Sequence, residues 1–216
     1  MDKESIRAFI EYQSKTMDKD WVTIPMVANC FIFYIGVYIS DRKIISGIIC
    51  TGINIGMVAL YFILMKRFPL NQKNLHLMTG VFLTEFTISC GFMSIQFLTK
   101  VWPHPFFISL IYIFGVLLVS LSVLFSTIIG IKKGSYLQKK FSYGPSTILI
   151  MALIGTGMSI YYAFKDSLPK EHYYLLLGIL SGIFGMLICV CIIYIIKYYY
   201  FKVLERMESN KEMENR

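Results

Sequence analysis

Of all the Asp, Glu, Lys and Arg residues in this 216-residue chain, only Glu85 stands inside a long apolar stretch, near its middle. An ionisable side chain at that depth of a bilayer costs at least a few kcal/mol to insert, which makes it a candidate functional group by default. Two further strongly polar residues share its level. Counted from the same side at about 1.5 Å per residue, Asn54, Asn29 and Glu85 all lie roughly 15–18 Å deep. Ser89 and Gln96 continue the stripe from Glu85 at i+4 and i+11. A protonated Glu85 bonded to Asn54 or Asn29 would be a neutral internal clamp, whereas a shared cavity would make the group a proton or cation site. Glu85, Asn54, Asn29, Ser89 and Gln96 are therefore the expected substrate- or ion-binding residues.

Other chemistry finds no support in the sequence. H-E-x-x-H, G-x-S-x-G, P-loop and dinucleotide G-x-G-x-x-G patterns are absent, and no second carboxylate shares the membrane interior with Glu85. The chain is not expected to be an enzyme, nor to need a cofactor. Cys30, Cys50, Cys90, Cys189 and Cys191 all fall in apolar runs, away from the connectors where disulfides or zinc sites are assembled, and read as small buried hydrophobes. Cys189 and Cys191 are two residues apart, a spacing that points in different directions on a helix and forms no metal pincer. His76, His104 and His172 fall near the edges of apolar runs and read as solvated, with His104 and His172 within reach of Asp166 and Glu171 on one rim.

The elements that must position Glu85 follow from composition. The chain is 56% hydrophobic and 16% charged, with mean hydropathy +0.62, against about 45–50% apolar and about 25% charged in soluble domains. Six windows suffice to cross a hydrocarbon core, which takes about 20 helical residues: 22–40, 44–65, 75–97, 106–131, 145–164 and 172–196. None alternates with the period of two that a membrane barrel requires. Pro25, Pro105 and Pro145 sit at or near three starts, where a missing amide proton costs little. Some twenty polar residues precede the first window, so it reads as an anchor and not a cleaved signal.

Lys and Arg set the orientation, because cytoplasmic connectors carry the excess. Sixteen lie in the two tails and in the connectors after the second and fourth windows, and five lie in the other three connectors. Both termini are expected in the cytoplasm, and the net charge of +8 reflects threading, not nucleic-acid binding. The three outer connectors are short, so the fold class expected is an all-α bundle of three antiparallel hairpins. Gly52-x-x-x-Gly56 in the second window, with Gly178, Gly182 and Gly185 in the sixth, fit close helix packing within the chain in preference to dimerisation.

The tails complete the plan. Residues 1–21 are expected to form an amphipathic helix lying in the interface, with Ile6, Phe9, Ile10 and Met17 on its apolar face. In the tail 197–216, Tyr198, Tyr199, Tyr200 and Phe201 suit an aromatic belt, Lys197 and Lys202 reach for head groups, and the helix projects beyond. Six short-looped spans ending in such a helix resemble the membrane sensor portion of peptide-responsive bacterial kinases, and broadly small transport permeases; the resemblance is of architecture and transfers no residues. Abundant Ile, Lys, Tyr and Asn suggest a bacterial cell membrane. The function expected is a transport component; the alternative is a non-enzymatic regulator or toxin-immunity protein. Its partners would be the bilayer and an ATPase, regulator or toxin at the cytoplasmic face.

Overall fold

A computed structural model of the chain describes residues 2–12, 20–41, 43–69, 71–137 and 169–214. The expected span 145–164 and Met17 lie outside the described residues. Among the described residues, seven helices and one 3-10 turn run in the order α1 (Lys3–Glu11), α2 (Asp20–Ile39), α3 (Lys43–Arg67), α4 (Gln72–Leu98), α5 (Pro105–Lys132), α6 (Lys170–Ile188), the turn Cys189–Ile192, and α7 (Ile193–Glu214). Five helical segments among the described residues are long and apolar enough to cross a membrane: Val22–Ile39, Lys43–Arg67, Gln72–Leu98, Pro105–Lys132 and the α6–α7 rod.

The centre of the bundle is α4, packed against α2 on one side and α6 on the other, with α7 and α5 also touching it. Its sequence explains the place. Thr79, Glu85, Thr87, Ser89 and Ser94 on α4 are all buried, and polar groups in an apolar medium must be met by protein. By contrast α3 and α5 carry few polar groups and turn long rows of Ile, Leu and Phe outward, as lipid-facing helices do.

Hydrogen bonds fix the register of α2 and α3, which run in opposite directions. Thr23 pairs with Tyr61 near one end, and Tyr34 with Thr51 and Ser40 with Ser46 towards the other. At the far end, Lys100 in the turn after α4 pairs with Asp41 in the α2–α3 connector.

The end that carries both tails holds a second apolar core. Ile6, Phe9 and Ile10 of α1 are buried with Ile131, Tyr136, Ile196 and Tyr200. Tyr136 reaches this core because α5 ends in a left-handed glycine, Gly134 at φ 65°. The amides of Gly134 and Ser135 bond back to Ile131 and Gly130, the two closing bonds of a Schellman turn. The described N-terminal helix docks edge-on by Phe9 against Tyr136 and Tyr200. Its apolar face is covered by the overhanging ends of α5 and α7, which supply a matching aromatic surface.

Candidate functional site

Three of the five expected site residues come together. Asn29 on α2 is 1% exposed and Glu85 on α4 is 8% exposed. The Asn29 amide donates to Glu85 Oε2 at 3.0 Å and to the Phe82 carbonyl at 3.2 Å. Ser89 donates to Asn29 Oδ1 at 2.7 Å and lies 3.0 Å from the Glu85 carbonyl. The i+4 step from Glu85 to Ser89 places both on one face of α4, and α2 crosses that face with Asn29 between them.

The orientation of the Asn29 amide is dictated, not arbitrary. A main-chain carbonyl only accepts, so the nitrogen must face Phe82, and its second proton then falls to Glu85. The oxygen is left for Ser89. The Asn29 amide is thereby spent, with both protons given and its oxygen bonded.

Glu85 is only half satisfied, because Oε1 is buried without a hydrogen-bond partner among the described residues. Asn54 is in the same state: 7% exposed, with both amide atoms unpartnered among the described residues. Asn54 therefore makes no bond to Glu85 or Asn29, contrary to the expected three-way meeting. By helix rise it lies level with Ser89, one turn beyond Glu85. Tyr61 of α3 meets Phe82 of α4, and seven residues further along each helix, about 10 Å at 1.5 Å per residue, come Asn54 and Ser89. Two other hydroxyls, Thr79 and Thr127, are also buried without partners among the described residues.

Gln96 does not join the cluster. Eleven residues from Glu85 is about 16 Å along the helix, too far for a shared contact. The glycines divide as well. A Cβ on Gly178 or Gly182 would meet Leu98 or Ser94, so both let α6 approach α4 closely, as expected. Gly52 and Gly56 have nothing within 4 Å among the described residues, and the expected packing inside the chain is not seen there. The helical face they occupy lies opposite the one that buries Cys50 and Asn54.

Several residues take roles the sequence did not announce. Tyr112 of α5 threads between α4 and α6 and donates to the Thr87 carbonyl at 2.6 Å. Its ring fits because Gly91 and Gly185 flank it without side chains; a Cβ on either would collide with it. A lone tyrosine in an aliphatic span opposite a glycine row was the available signal.

His76 corrects the expectation of a solvated imidazole: it is fully buried, stacked on Tyr194 at 5.6 Å and near Phe201. Lys197 likewise does not reach outward. It is 3% exposed, donates to the Tyr12 carbonyl, and lies 5.7 and 5.9 Å from the centres of the Phe9 and Tyr12 rings. Both corrections have one cause, the docking of α1 and α7 over a surface that the sequence left open to solvent. Beside it, Lys3 and Arg7 pair with Glu208, and Lys73 with Glu205. These cations hold the Glu208 carboxyl below its ordinary range, the Lys3 bond foremost.

His104 and His172 are exposed, as expected. The cysteines are all free among the described residues. No known protein family, curated protein or solved structure matches this chain.

Proposed function

We propose that the protein is a small multi-pass transport component, a compact permease or the membrane subunit of a larger transporter. It threads six spans as three antiparallel hairpins with both termini in the cytoplasm of a bacterium. Glu85, Asn29, Ser89 and Asn54 line its midplane site. One observation carries the proposal: among the described residues, Glu85 keeps a buried, uncommitted carboxyl oxygen, and Asn54, about one helical turn further along, keeps two uncommitted amide atoms. A purely structural clamp has no use for them, since each buried unpaired polar group costs about 1–3 kcal/mol. Midplane polar groups at helix seams are where transport sites are typically built.

The test is charge displacement in proteoliposomes on a solid-supported membrane, challenged with panels of amino acids, short peptides, sugars and inorganic ions. At least one class should evoke a current that Glu85→Gln abolishes. Silence across every panel, matching empty liposomes, overturns the proposal.

A second reading, a regulator or immunity protein, is favoured by the tails. Lys3 and Arg7 pair with Glu208, which joins α1 and α7 into one surface at the charged end. Removing residues 1–19 and 203–216 in separate variants should then abolish activity while Glu85→Gln stays mild. Full activity in both truncations excludes it.

A further inference from the structure

Resting on the transport proposal above, we infer that the ion exchanged at Glu85 is a proton and that the site rejects Na⁺ and K⁺. The reason is the polarity of what surrounds the carboxyl group. A hard cation in a protein gathers about six or more oxygen ligands. Here Asn29 turns N–H, not oxygen, towards Oε2, and the Phe82 carbonyl locks it that way round. Its own oxygen is spent on Ser89, and the Ser89 hydroxyl lies within reach of the Glu85 carbonyl as well. The nearest carbonyls belong to helix turns. Among the described residues, the oxygen left uncommitted at the carboxyl group is Oε1 of Glu85 itself.

One uncommitted oxygen is too few to replace a hydration shell, but it suffices for a proton. One delivered by water forms an O–H bond at Oε1, the bond to its carrier breaks, and the charge on the carboxylate is cancelled. On the return, the same O–H bond breaks to water. In both states Asn29 still donates to Oε2, so the helices need not separate for the exchange.

The surroundings leave Glu85 to titrate almost alone. On α2 the titratable neighbour is the Cys30 thiol, next in sequence to Asn29. On α3 it is Tyr61, engaged with Thr23. On α5 it is Tyr112, engaged with Thr87. On α4 itself, His76 and Cys90 lie nine residues before and five after. No Lys or Arg of the sequence falls in any of the six windows, so a counter-cation for the ionised form is not at hand.

Infrared difference spectroscopy on the full-length protein in liposomes tests this. As pH falls at constant salt, the carbonyl stretch of a protonated carboxylic acid should grow, and Glu85→Gln should delete it. Exchanging Na⁺ or K⁺ for choline at fixed pH should leave the band unaltered. Asn29→Leu should retain the band but move its frequency, because the hydrogen bond to Oε2 is gone; this variant serves if Glu85→Gln does not fold. A band that fades when Na⁺ or K⁺ is added, or a spectrum in which no band depends on Glu85, overturns the inference. The two proposals fail separately. A titrating, salt-blind Glu85 with no evoked current sinks transport and leaves the proton site, whereas Na⁺-dependent currents do the reverse.

Discussion

Tyr112 shows how much one side chain can decide in a bundle without a hydrophobic driving force between its helices. Lipid tails are as apolar as leucine, so α4, α5 and α6 are held by close fit and by the few polar bonds that cross between them. Tyr112 provides both, through its bond to Thr87 and its seat between Gly91 and Gly185. In the wild-type background, Tyr112→Phe should lower stability by about 0.5–1.5 kcal/mol, the worth of one hydrogen bond. Gly185→Ala should cost more, about 1–3 kcal/mol, as overpacking does. Combining them should reverse the sign of Tyr112→Phe, because the hydroxyl is the atom the new methyl strikes first. Thermal unfolding read by a dye that reacts with the exposed thiols measures all three, and equal effects of Tyr112→Phe in both backgrounds would show that the contact is not made.

At the scale of elements, the docking of α1 is governed by its apolar face more than by its charges. Ile6 and Phe9 are wholly buried, whereas Arg7 and Glu208 are largely solvated, and surface ion pairs contribute little. Phe9→Ala removes an aromatic core group, a change that typically costs about 3–5 kcal/mol, and should free α1 entirely. Amides 3–11 would then exchange at rates near those of an unfolded peptide. Arg7→Ala should speed them only slightly. Acid should act as a milder version of the same change. Because Glu208 is held below its ordinary range, its contribution is complete above the unfolded carboxyl value and fades as pH falls through the lower folded one. Exchange of α1 should therefore be flat near neutrality and rise only in acid, and Glu208→Gln should make it flat throughout. A rise starting near neutral pH would place the controlling group elsewhere.

For the whole molecule, the spans were legible and their neighbours were not. Windows 22–40, 44–65, 75–97 and 106–131 fall within a few residues of α2, α3, α4 and α5, because the thickness of a bilayer sets helix length independently of packing. The equal depths of Asn29 and Glu85 were also legible, since rise per residue is fixed. Which helix faces which was not. Nothing in the sequence says that α4 is central, that Asn54 stays unbonded, or that Lys197 lies beneath Tyr12, because those depend on rotation about each axis. Threading is a separate matter and rests on the sixteen-to-five partition of Lys and Arg. Tags on the two ends should both resist protease on intact cells and both be cut in inverted vesicles, and cleavage of either on intact cells would refute the orientation. Rotation also gives the turn at Cys189–Ile192 its significance. A 3-10 segment winds at about 120° per residue against about 100° in an α-helix, so four residues advance the rod by about 80° more. Without that phase advance, the α6 face that meets α4 and the α7 face carrying Ile196 and Tyr200 towards α1 would not be aimed as they are. Four residues inside the rod thus act as a gearing between its two halves, so that aligning the span and aligning the tail become one geometric condition.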